Sequence, residues 1–230
     1  MTTSMTLSDK LYKILIRGGS WKTILGGLWV TIRISAMALL IGTILGAVIC
    51  LLRTRKNPIF RGFASVYIAI LRGSPVLMLL LLLYYGVFAR AGLKPVTVAV
   101  FTFALNVSAH VAELLRSALE ATDKGQAEAA RTLGFSAWSA FRLVTLPQVL
   151  RIAKPVYQST IVNLIQWTSV VGYVTITDLT RVINNTASRT MQPLLTIIIG
   201  MLIYLALSYI IFGIFALTDR IKARRRGTAV

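Results

Sequence analysis

Residues 120–155 read EATDKGQAEAARTLGFSAWSAFRLVTLPQVLRIAKP, a polar, charged stretch set between long apolar runs. Charged side chains at this density are too costly in hydrocarbon, so the stretch must form a sizeable loop on one side of a membrane. Within it Glu128-Ala129-Ala130 is followed after three residues by Gly134, after nine more by Val144, and then by Leu146-Pro147. That order marks a docking element rather than a spacer. It predicts two short helices. The first runs from about Ala121 to Leu133 and is ended by Gly134, which suits the left-handed residue after a helix. The second runs from Ser136, a capping residue, to Leu146 and is broken by Pro147. In the first arm Ala127, Ala130 and Leu133 recur at helical spacing, beside Glu128 and Arg131. Small residues let a partner surface approach closely, while Lys124 and Glu128 supply polar register.

The rest of the chain agrees with a membrane setting. Of 230 residues, 56% are hydrophobic and 14% charged, with mean hydropathy +0.75, which favours the bilayer over a soluble core. A net charge of +18 would suggest nucleic acid in a soluble protein. Here Lys and Arg fall mostly between apolar runs, where they meet lipid phosphates and fix topology. The single cysteine, Cys50, excludes an intrachain disulfide and reads as a small packing residue. Residues 1–20 hold Asp9, Lys10, Lys13 and Arg17 with no uninterrupted apolar stretch, so they do not read as a secretory signal peptide.

A crossing needs about 20 apolar residues, and such runs occur at 25–51, 64–88, 95–115, 156–177 and 193–218. The expectation is an all-α integral membrane protein with five spans. It has a segment 1–22, a transmembrane domain 23–219 containing the loop 116–154, and a basic tail 220–230. Five crossings put the termini on opposite sides. The segments 53–62, 116–154 and 220–226 carry 15 Lys and Arg, against 8 in 1–22, 89–94 and 178–190. The bias predicts a cytoplasmic loop and carboxyl terminus and an external amino terminus. Arg220, Lys222, Arg224, Arg225 and Arg226 then read as an anchor to anionic headgroups.

Polar residues inside the spans are the candidate solute path. Arg72, Gly73, Ser74 and Pro75 interrupt the second run, and a broken helix is tolerated only against protein or a water-filled cavity. The alternative is a segment emerging at an interface with Arg72 snorkelling. On the third run Asn106, His110 and Glu113 share a helical face, with Ser108 nearby. They line a polar pathway or form buried contacts between helices, with Glu113 paired to Arg116 or Arg72. A lone histidine does not suggest a metal. Asn163, Gln166, Trp167, Thr168 and Ser169 form a second polar island, whose hydroxyls could instead bond to their own backbone. Gly42 and Gly46 form a GxxxG pair, read first as a helix contact inside the subunit and second as a dimer seam.

The Glu128–Pro147 pattern resembles the EAA motif of ATP-binding-cassette importer permeases, with Val144 at the usual Ile position. Lys124-Gly125-Gln126 before it, Leu146-Pro147-Gln148 and Arg151-Ile152 closing it, Arg72-Gly73-Ser74-Pro75, and Asn106 through Glu113 are similar to the histidine/glutamine-type permeases of polar amino-acid importers. The similarity covers roughly 20–225. It implies the type I importer permease fold in a bacterial inner membrane. It makes Lys124, Gly125, Glu128, Ala129, Ala130, Gly134, Leu146 and Pro147 a coupling element seated in a cytoplasmic ATPase dimer. It also implies a second permease subunit, identical or paralogous, and an extracytoplasmic binding protein. Where such permeases often carry Lys-Asp-Thr-Ser or Lys-Asn-Thr-Ser, this chain has Gln166-Trp167-Thr168-Ser169, so specificity for charged amino acids does not transfer with the resemblance.

The chain lacks a Gly-x4-Gly-Lys-Ser/Thr phosphate loop and any acid, base and nucleophile set. No cofactor, metal or catalytic residue is expected in it, and ATP and Mg belong to the partner ATPase. One rival is an ion-coupled secondary carrier using Glu113 and His110, although such carriers usually have more spans and an internal repeat. Another is a membrane scaffold whose loop recruits an unrelated protein. Within the importer reading, an opine is an alternative solute.

Overall fold

The computed structural model describes the backbone of residues 6–16 and 19–227 and, Leu7 aside, side chains as far as Ile221. The described residues are helical and include no strand. In chain order the α-helices are α1 (Leu7–Leu15), α2 (Ser20–Thr54), α3 (Pro58–Gly73), α4 (Val76–Leu81), α5 (Pro95–Glu120), α6 (Lys124–Thr132), α7 (Ala137–Ala140), α8 (Leu146–Trp167), α9 (Leu179–Thr190) and α10 (Pro193–Gly227). Wider π turns cover Leu82–Val87 and Phe141–Thr145, and a 3-10 helix covers Thr168–Val174. Prolines open α3, α5 and α10, where the missing N–H would have had no partner within the helix.

Among the described residues, α2, α5 and Pro193–Ile221 of α10 are each long and apolar enough to cross a bilayer. A fourth crossing is available if α3 and Val76–Val87 count as one span, and there the chain bends by 107°. The interruption expected at Arg72–Pro75 is therefore present. The fourth run, 156–177, is not one apolar helix. Its first half is the end of α8, which starts in the loop and carries Arg151 and Lys154, and its second half is the 3-10 turn. The five-span count accordingly has no counterpart in five uninterrupted helices. Two segments read as lying outside the spans are helical: α1 within the amino-terminal segment 1–22, and α9 within 178–190. The charged tail beyond Ile221 lies outside the described side chains.

The chain divides into two compact units. The first takes the chain up to Met37, Leu80–Val100 and Val162 onward. Its centre is Ile24, Leu179, Val182 and Ile183, with Leu15, Leu28, Ile203 and Tyr204 around them. This brings α1, α2 and α10 onto one face of α9. The pattern Leu179, Val182, Ile183, Thr186, Ala187, Thr190 is the buried stripe of an amphipathic helix. The Thr31 hydroxyl accepts the Leu179 N–H at 3.2 Å, and Thr180 and Tyr204 share a hydrogen bond of 2.8 Å.

The second unit takes Ala38–Leu79 and Phe101–Ile161. Gly42 and Gly46 let α2 meet α5 backbone to backbone. A Cβ on Gly42 would lie 2.8 Å from the Ala104 carbonyl, and one on Gly46 would lie 2.6 Å from the Val111 Cβ. The GxxxG pair is thus a contact within the subunit, as first read. Close approach supplies the dispersion energy that holds helices together where lipid gives no hydrophobic drive between them. Cys50 is buried with Ile49, Ala64, Ile68 and Ala112, in the packing role expected of it.

Candidate functional site

The 116–154 segment builds a helical hairpin. Asp123 caps α6, its carboxylate accepting the Gly125 N–H at 2.9 Å. After Leu133 the chain reverses at Gly134, whose φ of +90° lies in the left-handed region that glycine occupies without strain. The Phe135 N–H then returns to the Ala130 carbonyl at 3.1 Å, closing the helix end. Ser136 caps α7, its hydroxyl accepting the Ser139 N–H at 3.1 Å. The expected elbow is present, with one correction. Pro147 does not break the second arm, because the π turn Phe141–Thr145 precedes it and α8 follows directly. The widened turn takes the Leu146 N–H back to the Phe141 carbonyl. The proline then sits at the second position of α8, where its missing N–H costs little.

The hairpin is tied across its base by the Gln148 side-chain amide, which donates to Gln126 Oε1 at 2.8 Å. Ala130 turns inward, and Ala127 is half-buried. Leu133, by contrast, is 80% exposed, so the three-residue stripe splits between two faces. Lys124, Gly125, Glu128, Ala129, Gly134 and Pro147 are exposed and Leu146 is half-buried. Trp138, stacked on Phe141 at 5.9 Å, and Leu143 add exposed apolar surface that the motif alone did not single out. Large apolar side chains set in a polar loop, beside Ser139 and Arg142, were the readable signal.

The candidate path residues fall in both units. In the second unit Asn106 is buried, and its amide donates to the Leu71 carbonyl at 2.9 Å. In an unbroken helix that carbonyl would accept from residue 75, but Pro75 has no N–H. Asn106 therefore replaces the donor that the proline removes, while its Oδ1 has no partner among the described residues. Ser108 bonds to Tyr67 at 2.6 Å. Glu113 pairs with Arg116, at 2.6 and 3.0 Å, and not with Arg72. Arg116 also meets Glu120. His110 is half-buried, Arg72 is exposed and Ser74 is half-buried.

In the first unit Gln166 is exposed, Trp167 half-buried and Thr168 fully buried, with its hydroxyl bonded to its own helix at the Ile165 carbonyl. Ser169 lines a cavity of about 430 Å³ with Gly172, Tyr173, Thr180, Arg181 and Asn184. The Arg181 guanidinium donates to the Gly172 carbonyl at 3.2 Å. Asp178 is fully buried beside this cavity and caps α9 by accepting from the Thr180 and Arg181 amides, each at 3.0 Å. Burial pushes its carboxyl above the ordinary range, against the pull of those amides. Arg181 and Asn184 escaped the sequence reading, which treated 178–190 as a connection. An acidic cap ahead of a 3.6-residue apolar period was the available signal.

Comparison with known proteins places this geometry. A probable amino-acid ABC transporter permease protein, YckA of Bacillus subtilis, is 35% identical over 82% of this chain and 84% of its own length. A nopaline transport system permease protein, NocM of Agrobacterium fabrum, is 30% identical over 91% and 94%. A solved structure of an amino acid ABC transporter with histidines is 30% identical, with a TM-score of 0.79 over 87% of this chain and 94% of that one. Residues 24–224 match the binding-protein-dependent transport system inner membrane component, and this multi-pass membrane chain belongs to that family.

Proposed function

We propose that this chain is the translocation subunit of an ATP-driven importer of polar amino acids. The exposed 124–146 hairpin is the observation that carries this reading. It is a small, stiff, capped element joined without a break to α8, and such an element moves as a unit where a flexible linker would absorb the motion. Leu133 and Trp138 are its apolar contacts with a cytoplasmic ATPase dimer, and Lys124, Glu128 and Arg131 set register. ATP and Mg are held by that dimer. Its closure draws on the hairpin and tilts the helices, opening the path to a loaded binding protein outside, and hydrolysis resets it. A second permease subunit, identical or paralogous, completes the path. The hairpin and carboxyl terminus are cytoplasmic and the amino terminus is external, in keeping with the Lys and Arg distribution.

Arg72, Ser74, Asn106, His110 and Glu113, and likewise Gln166, Trp167, Thr168 and Ser169, are the residues that meet the solute. The cavity beside Ser169 offers a guanidinium for a carboxylate and Asn184, Thr180 and Tyr173 for polar groups. An opine is the second reading, favoured by the 30% identity to a nopaline permease across nearly the whole chain.

The test is uptake of a panel of labelled amino acids and nopaline by the permease reconstituted with its ATPase and binding protein. Leu133→Asp buries a charge at the proposed contact, and ATP-driven uptake should fall at least about tenfold, while insertion and subunit pairing persist. Undiminished uptake by this variant would remove the hairpin as the coupler.

A further inference from the structure

One end of the second unit concentrates positive charge around an empty space that the transport reading does not use. The last turn of α2 supplies Arg53 and Thr54, the turn after it Arg55 and Lys56, and the first helical turn of α3 Arg61. The end of α5 supplies Arg116 and Glu120. Together they line a cavity of about 600 Å³. Arg116 holds both Glu113 and Glu120, a trio with one negative charge in excess. Arg53, Arg55, Lys56 and Arg61 have no carboxylate within ion-pair distance among the described residues. Four cations without an ion-pair partner outweigh the one excess negative charge of that trio, and a bound anion relieves their mutual repulsion.

The turn that carries them is fixed rather than loose. Asn57 caps α3, its side chain accepting the Ile59 N–H at 2.9 Å, and Pro58 starts the helix with φ already set. The backbone positions of the cations are therefore set together at one end of the unit. Beside them Leu51, Ile59, Phe60 and Phe63 are exposed. The cavity thus sits where apolar helix surface gives way to charge, at the ends of α2, α3 and α5.

We infer that this cavity binds the phosphate of an anionic phospholipid headgroup, with the acyl chains lying along Leu51, Ile59, Phe60 and Phe63. The chemistry at the cations is that of any phosphate ester. The adjoining apolar surface selects the lipid over a soluble phosphate, because acyl chains make dispersion contacts there that a soluble ester cannot make. The inference rests on the membrane placement of the chain and is independent of which solute is carried.

The experiment titrates the assembled, detergent-purified transporter with short-chain phosphatidylglycerol, phosphatidylcholine of equal chain length, and glycerol phosphate, following binding by native mass spectrometry. Phosphatidylglycerol should bind at least about tenfold more tightly than phosphatidylcholine, and weaken as salt is raised. Arg55→Gln, Lys56→Gln and Arg61→Gln together should reduce it to the phosphatidylcholine level. Arg55→Lys, Lys56→Arg and Arg61→Lys together should preserve it, separating lost charge from lost folding. Equal binding of the two lipids, or unchanged phosphatidylglycerol binding by the glutamine variant, overturns the site. Displacement of the lipid by an equal concentration of glycerol phosphate overturns the lipid as its occupant. Binding is read without transport, so a transporter that fails to import amino acids leaves this result standing.

Discussion

Pro75 and Pro147 both fall within helical runs, yet the chain turns through 107° at the first and continues at the second. The residues before them differ accordingly. Ser74 is extended, with φ −93° and ψ 136°, as the proline ring prefers of its predecessor. Leu146 stays helical at φ −58° and ψ −43°. The lost hydrogen bonds differ more. Pro75 orphans the carbonyl of Leu71, which is 6% exposed, whereas Pro147 stands four residues beyond Leu143, which is 61% exposed. A buried carbonyl must find a protein donor, and Asn106 reaches it. Near Pro147 the π turn and the Gln148 side chain, which donates to the Val144 carbonyl at 3.0 Å, take up the strain locally. A proline therefore breaks this chain where its consequences are buried and repaired from another helix.

The strongest way to break this comparison is Asn106→Leu. It leaves the Leu71 carbonyl buried and unpaired, and thermal unfolding in detergent should show a loss of about 1–3 kcal/mol. Pro75→Ala restores an N–H at that place, so the double variant should lose less than the sum of the two changes. Strict additivity would mean that Asn106 does not stand in for the proline donor. Gly134→Ala sharpens the hairpin side, because alanine at φ +90° costs about 1–2 kcal/mol with no clash to add to it. Limited proteolysis between residues 131 and 138 should speed up. Pro147→Ala should be the mildest, within about 0.5 kcal/mol in the same unfolding measurement. A larger loss would show that the proline holds the π turn in place.

How much was readable varies residue by residue. The interruption at Arg72–Pro75, the turn at Gly134, the cap at Ser136 and the close contact through Gly42 and Gly46 are all properties of short stretches, and each was readable from backbone chemistry alone. The face of Asn106 and Glu113 was readable too, and Arg116 is one of the two partners read for Glu113, but the partner of Asn106 was not readable. Asn106 bonds 35 residues back along the chain, and no local period encodes that distance. The α9 helix was missed because its polar residues resembled a loop to a hydropathy count. Six of its twelve residues are buried, by contact with α1, α2, α10 and the 3-10 helix.

The sequence by itself determined the membrane setting, the polar loop, the hairpin turns and the small-residue seam, since hydropathy, glycine φ freedom and capping act over a few residues. Only the tertiary structure decided which proline bends the chain, that Asn106 mends a broken helix, that Arg181 and Asn184 share a cavity with Ser169, and that four cations without an ion-pair partner converge on one cavity. These depend on which carbonyls and charges are cut off from water, and that is settled by helices distant in sequence coming together.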